Sequence, residues 1–266
     1  MSPRDDTWTD QALTAPHTVA DKAARVRRMF AAIASSYDLN NRLHSLGRDQ
    51  AWRRAAVRIA RLQPGEHVVD VACGTGDLSL AFSHAGAACV TGVDFTREML
   101  LVARGKVLAA RHVAPRYLCG DALHLPVATA SADVVSIAFG IRNVADPAAA
   151  VAEFHRVLRP GGRLVILEFS TPSMAPLRQM YQFYFQHIMP RTAAFIARDR
   201  TGAYRYLPRS VDTFLGRTQM LQMIRGAGFV QTSMTPLTMG IAVVYSGVKA
   251  AAGGQSATEP SAGHQK

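Results

Sequence analysis

Val68-Val69-Asp70-Val71-Ala72-Cys73-Gly74-Thr75-Gly76-Asp77 carries the strongest architectural signal in the chain. Its apolar run reads as a buried strand, and the two glycines behind it let the backbone bend sharply and approach a ligand as a helix begins. The third glycine of a dinucleotide fingerprint is absent, since Ser79 holds that place, and no Gly-Lys-Ser/Thr follows to build a phosphate loop. Both absences argue against NAD and ATP.

Working outward, apolar runs alternate with helical spacing from Glu66 onward. Strands are predicted at His67 to Val71, Cys89 to Val93, Arg116 to Cys119, Asp133 to Ala138 and Arg163 to Phe169. Helices are predicted near Leu78 to His84, Arg97 to Ala110 and Pro147 to Leu158. That alternation implies a doubly wound α/β sheet with parallel strands and crossover helices. Residues 171–217 differ in character, with Tyr, Phe, Met and Arg replacing Ala, Val and Gly, and read as a helical cap inserted after the fifth strand. A helix over Gln219 to Ala227 and two runs, Phe229 to Thr235 and Ile241 to Val248, suit an antiparallel pair at the edge, completing a seven-stranded, mainly parallel sheet.

Ahead of the sheet, residues 21–63 hold two helical segments, Asp21 to Ile33 and Arg48 to Leu62, joined by the polar stretch SSYDLNNRLHSLG, read as a loop. Residues 1–20 and 250–266 are expected to be disordered, leaving one domain over 21–249.

Three successive strand ends carry an acid: Asp70, Asp94 and Asp121. In a doubly wound sheet the carboxyl ends of neighbouring strands line one crevice, so these carboxylates can surround a single ligand. Asp94 lies where an acid accepts from a ribose diol, and Asp121 with Ala122 would flank an adenine edge. A sulfonium cation tolerates such acidic surroundings better than a pyrophosphate does.

The charge is local. Of a net +11, residues 1–63 and 173–217 carry +5 each, and the middle is near neutral. Basic flanks could meet nucleic acid, an anionic membrane or an acidic substrate. The three cysteines Cys73, Cys89 and Cys119 have no metal-ligand spacing, so no metal is expected and the thiols read as reduced. With no signal pattern and no apolar window of about 18 to 20 residues, a cytoplasmic protein is expected. A homo-oligomer is compatible with the sequence.

The blocks DVACGTGD, VDFTREML, GDALHLP and LRPGGRLVILEFS resemble those of the class I S-adenosylmethionine-dependent methyltransferases, in their order and spacing. The segments MFAAIASSYDLNNRLHSLGRDQAWRR, FGIRNV, LEFSTP and YRYLPRS are similar to those of the menaquinone and ubiquinone biosynthetic C-methyltransferases, extending the match over roughly residues 25–248. The resemblance implies a Rossmann-like fold and cofactor contacts at Thr75, Asp94, Asp121 and Ala122. Asp70, Gly74, Gly76 and Phe95 complete the expected cofactor set. Ala138 departs from the serine with which some members touch the cofactor, so no side-chain hydrogen bond to it is expected from this position.

The same resemblance implies methylation of a polyprenylated hydroquinone, with demethylmenaquinol the first choice and the ubiquinone-pathway benzoquinol the second. Deprotonating a ring hydroxyl makes the ortho carbon nucleophilic. Arg142, always cationic, can stabilise that phenolate or polarise a water, and ranks first among catalytic candidates, with Asn143 orienting. Tyr37 beside Asp38, and Tyr204 with Tyr206, could close over the ring. Leu177, Met180, Tyr181, Tyr184, Phe185 and Ile188 form an apolar stripe at helical steps, and with Arg191, Arg198, Arg200, Arg205 and Arg209 suit peripheral contact with anionic lipid at the inner membrane face. Competing readings are a methyltransferase of specialised metabolism with a tailless acceptor and a cofactor-binding scaffold. Nucleic acid is excluded as a partner because FGIRNV replaces the Asn/Asp-Pro-Pro-aromatic stack that holds a flipped base.

Overall fold

The computed structural model describes residues 8–107, 113–189, 191–192 and 202–251. The strands β1 (His67–Val71), β2 (Cys89–Asp94), β3 (Arg116–Cys119), β4 (Ala132–Ala138), β5 (Leu158–Phe169), β6 (Phe229–Leu237) and β7 (Ala242–Lys249) form one sheet in the order β3-β2-β1-β4-β5-β7-β6. β1 to β5 pair in parallel, and β7 runs antiparallel to both β5 and β6. This is the doubly wound, mainly parallel sheet with an antiparallel edge that the alternation implied. The chain winds outward in opposite directions from β1 and β4, so the crevice between their carboxyl ends is the switch point.

β1 is buried on both faces, as a central parallel strand must be, because helices cover each side. Those helices include α5 (Asp77–His84), α6 (Arg97–Val107) and α7 (Pro147–Val157). α7 starts where its chemistry dictates: Asp146 accepts from the Ala148 and Ala149 N–H groups, both at 3.0 Å, and Pro147 occupies the first turn. The predicted end of α6 at Ala110 lies outside the described residues.

Above the strand ends sits a second apolar cluster. It gathers α2 (Lys22–Ile33) through Val26, Met29 and Ile33, and α9 (Ala203–Asp212) through Tyr204 and Tyr206. The N-terminal helices and the cap therefore share one core, which roofs the crevice. α4 (Arg48–Ala60) instead packs on the sheet through Trp52, Ala56 and Ala60. α10 (Arg217–Gly226) precedes β6.

Two expectations are corrected. Residues 8–20, read as disordered, carry the short helix α1 (Asp10–Thr14) and bury Trp8, whose ring stacks on Tyr206 with centroids 4.2 Å apart. A helix of 5 residues does not persist alone, and burying a large aromatic contributes roughly 2–3 kcal/mol, which is what anchors it. The polar stretch read as a loop forms α3 (Tyr37–His44), because tertiary contacts override its poor periodicity: Tyr37 meets Phe30 edge-on and Asp38 is tied to α6 through Lys106. The apolar stripe of the cap lies on α8 (Ala175–Phe183), which continues through a π turn over Tyr184–Ile188. The side chain of Leu177, together with Arg198 and Arg200 and residues 252–266, lies outside the described residues.

Candidate active site

Two cavities meet at the switch point. The first encloses about 90 Å³ and is lined by Gly74, Asp94, Phe95, Asp121, Ala122 and Asn143, among others. The second encloses about 520 Å³, is mostly apolar, and is lined by Arg142, Tyr204 and Tyr206 along with Trp52, Phe169 and Tyr181. Phe30, Tyr37 and Phe139 line both. These three aromatic side chains are the wall that the two cavities share.

The backbone at the wall is strained. Phe139 follows β4 with φ 56° and Ala72 follows β1 with φ 48°, both left-handed conformations that non-glycine residues rarely adopt. Phe139 is held there by its N–H donating to the Leu167 carbonyl at 2.7 Å. Its own carbonyl accepts from Arg142 Nη1 at 2.7 Å and from Asn143 Nδ2 at 3.3 Å.

On the side of the first cavity, the Gly74 N–H donates to Asp94 Oδ2 and the Thr96 N–H to Asp94 Oδ1, each at 2.8 Å. Burial pushes the Asp94 carboxyl above its usual pKa, while these two donors favour its charged form. Each oxygen retains lone-pair capacity for a further donor such as a ribose hydroxyl. At Gly74 a Cβ would enter space with no heavy atom within 4 Å, so this glycine leaves a cradle open for a ligand. Asp121 is exposed and accepts from the Leu123 N–H at 3.0 Å. An acid-lined, backbone-rich cleft of this kind fits an adenosyl sulfonium ligand.

Three expected cofactor residues do not line this cavity. Asp70 is 1% exposed and accepts from Ser79 Oγ at 2.6 Å and Ser136 Oγ at 2.9 Å, so it ties β1 to α5 and β4. Thr75 donates its hydroxyl to Asp38 at 2.6 Å, anchoring α3 to the glycine turn. At Gly76 (φ 80°) a Cβ would stand 2.2 Å from the Tyr117 hydroxyl, so this glycine serves the turn and its packing.

On the side of the second cavity, Arg142 is 3% exposed and pairs with Glu168 at 2.7 Å, while its Nε donates to Ser210 Oγ at 3.3 Å and its guanidinium lies 5.4 Å from the Phe169 ring centre. Among the described residues its Nη2 has no hydrogen bond. Asn143 is committed to protein: Tyr206 donates its hydroxyl to Asn143 Oδ1 at 3.0 Å. Tyr206 thus braces the turn from α9, and Tyr204 lines the cavity. Tyr37 is half-buried at the wall and its pKa is raised, burial outweighing the Asn41, Arg53 and Arg142 contributions.

Four further groups escape a reading of the sequence. Glu168 neutralises Arg142. Lys22 donates to the carbonyls of Arg142 at 3.0 Å and Val144 at 2.7 Å, with its pKa lowered to about 8 by burial and by Arg142. Asp49 and Arg53 form a second buried pair at 2.7 Å on the cavity wall. Asn40 and His44 also line it. For Asn40 and His44 the only sequence signal is their four-residue spacing, in a segment whose leucines face away from the core.

Comparison with known proteins agrees with this geometry. The ubiE/COQ5 methyltransferase family matches residues 18–249. A demethylmenaquinone methyltransferase of Deinococcus radiodurans is 45% identical over 230 residues, covering 86% of this chain and 94% of the relative. A ubiquinone/menaquinone biosynthesis C-methyltransferase of Geotalea daltonii is 40% identical, covering 87% of this chain and 99% of the relative. Among solved structures, a SAM-dependent methyltransferase of Thermotoga maritima aligns with a TM-score of 0.61 at 20% identity, covering 84% of this chain and 99% of that one.

Proposed function

The chain belongs to the ubiE/COQ5 methyltransferase family, and from that premise we propose that it methylates a ring carbon of a polyprenylated hydroquinone, converting demethylmenaquinol to menaquinol. The observation that carries this reading is the aromatic wall of Phe30, Tyr37 and Phe139, shared by an acid-lined cleft and a large apolar cavity. S-adenosylmethionine supplies an activated methyl group when bound. Gly74, Asp94, Asp121 and Ala122 hold it through backbone approach and carboxylate acceptors.

The protein's own work is to make the acceptor ring electron-rich and keep water away. Arg142 presents a permanent cation to the second cavity, where it stabilises the phenolate form of a ring hydroxyl. Glu168 on its other side keeps the guanidinium oriented. Phe139, Phe169 and Trp52 exclude water, which strengthens that electrostatic contact and favours the ring over smaller acceptors. Tyr37 and Phe30 set the approach between the two cavities, holding the reactants at the short separation that displacement needs.

A prenylated acceptor comes from lipid, and the mouth of the larger cavity suits that source. Leu46, in the turn after α3, and Met180 of α8 line it and are 88% and 70% exposed, and Leu39 and Leu43 of α3 and Phe183 of α8 also stand exposed. The predicted apolar stripe is therefore divided: Tyr181, Tyr184 and Phe185 face the cavity while Met180 stands at its rim. Among the described residues no helix is long and apolar enough to cross a membrane, and a peripheral contact is supported by Arg178, Arg205 and Arg209, which are exposed and can meet anionic headgroups.

Incubating the purified protein with methyl-labelled cofactor and, separately, demethylmenaquinol and the ubiquinone-pathway benzoquinol tests the reading. A labelled C-methylated naphthoquinol is the expected product. Label in neither quinol, or only in the benzoquinol, overturns it.

A further inference from the structure

Lys22, the first residue of α2, is 3% exposed, and among the described residues no carboxylate pairs with it. Its Nζ donates to the Arg142 carbonyl at 3.0 Å and to the Val144 carbonyl at 2.7 Å, groups 120 and 122 positions away in the chain. Those carbonyls lie at the end of the single 3₁₀ turn Ile141–Asn143, which carries Arg142. A turn of 3 residues makes too few internal bonds to fix itself, and its last carbonyls are left for an outside donor. Lys22 is that donor, so α2 decides where the Arg142 backbone lies. His17 completes the frame: Nδ1 stands 3.4 Å from Lys22 Nζ and Nε2 3.0 Å from the Ser210 carbonyl, while the Ser210 hydroxyl accepts from Arg142 Nε at 3.3 Å.

An ammonium is a costly donor for two carbonyls, because burying a charge without a counter-ion is penalised. Burial and the Arg142 guanidinium lower the Lys22 pKa to about 8, which leaves it charged at neutral pH. His17 is held below its ordinary pKa by burial and by Lys22, so it adds no charge there. Glu168 brings the one negative charge and spends it on Arg142 at 2.7 Å. The other buried ion pair of the cavity wall, Asp49 with Arg53, is balanced in itself. Two cations are thus set against one carboxylate at the turn.

We infer that Lys22 is a positioning residue for ionisation of the acceptor: it fixes the turn that carries Arg142 and leaves the site one positive charge in excess, which a phenolate balances. This deepens the reading of the acceptor as a hydroquinone and rests on it. A neutral quinol leaves the excess unrelieved. When its O–H bond breaks, the proton departs to water, the electron pair stays on oxygen, and the new anion meets a field already set up by both cations. In an apolar cavity that field is screened less than it would be in water. Lys22 needs no contact with the ring to act in this way.

4-Nitro-1-naphthol, whose coloured phenolate forms in weakly acidic water, reads the effect without turnover when S-adenosylhomocysteine fills the cofactor site. Absorbance titration below about pH 8, where Lys22 keeps its proton, gives the ionisation constant of the bound probe. In the wild-type protein that constant is expected to rise at least about tenfold over its value in water. Lys22→Met should lose most of the gain and keep the affinity for the neutral probe, whereas a residue needed only for folding would weaken both forms together. Lys22→Gln, whose amide still offers N–H donors to the carbonyls but has no charge, should lose the gain as well. Unchanged affinity for S-adenosylhomocysteine identifies the folded variants, and Lys22→Gln carries the test if Lys22→Met is not among them. No gain in the wild-type protein, or a gain that survives in a folded variant, overturns the role of Lys22 and leaves the methyltransferase reading intact. Binding of neither form of the probe by wild-type protein that binds S-adenosylhomocysteine overturns both.

Discussion

Arg142 Nη1 lies 2.7 Å from Glu168 Oε1, with the two side chains 3% and 2% exposed. An unpaired guanidinium would not enter an apolar cavity, because desolvating it costs more than the surroundings return. Glu168, at the end of β5, makes that entry possible from the side of the sheet. Glu168 also accepts from the Phe169 N–H at 2.8 Å, so its position is set by the strand itself.

Removing Arg142 alone therefore confounds catalysis with folding. Arg142→Ala should lose turnover and also about 3–5 kcal/mol of stability, since Glu168 is left buried without its cation. The double variant Arg142→Met/Glu168→Gln should regain most of that stability in urea unfolding and still fail to turn over. Wild-type turnover in the double variant would reduce Arg142 to a structural residue.

Asp94 and Asp70 look equivalent as acids on neighbouring strands, yet only Asp94 lines the cofactor cleft. Asp94→Ala should weaken cofactor binding by about 100-fold or more, the scale of losing two charge-assisted hydrogen bonds. Asp70→Asn should stay within about threefold of wild type by the same calorimetry. Equal losses would return Asp70 to the binding site.

Burial lifts the Asp70 carboxyl from 3.8 to about 6, against the opposing pull of the Ser79 and Ser136 hydroxyls. The folded protein then binds this proton more tightly than the unfolded chain does, so the contribution is fully present below about pH 4 and is lost as pH rises to about 6. Asp70→Asn removes that dependence. Its thermal midpoint should gain on the wild type between about pH 4 and 6 and keep a constant offset above. An offset that does not vary with pH would show that Asp70 does not titrate in this window.

The exposed apolar rim predicts how the protein meets lipid. Leu43→Glu and Phe183→Glu should each reduce co-sedimentation with phosphatidylglycerol vesicles by about fivefold, given the cost of placing a carboxylate at an anionic interface. Neither side chain lines a cavity, so turnover with a water-soluble short-chain quinol should not change. Undiminished vesicle binding would move the contact away from α3 and α8.

The sheet was legible because its signals are local. Apolar runs of four to seven residues, glycines at turns and the Asp146-Pro147 helix start depend on residues adjacent in the chain, and each element was found within a few residues, except that β5 begins five residues earlier, at Leu158. α3 was missed for the opposite reason. Its two leucines, Leu39 and Leu43, stand exposed and give no core-facing stripe, and its helix is held by Phe30, Thr75 and Lys106, which come from other segments.

The succession of strands and helices along the chain, the glycine turn and the carboxylate at the end of β2 follow from sequence alone, since turn chemistry and strand alternation act over a few bonds. Which acid faces the cleft, which carboxylate neutralises Arg142 and which tyrosine of the cap meets His44 depend on the folded chain. These are contacts between residues 26 to more than 130 positions apart, set by side-chain direction and by what burial denies to water, and no short-range pattern encodes them.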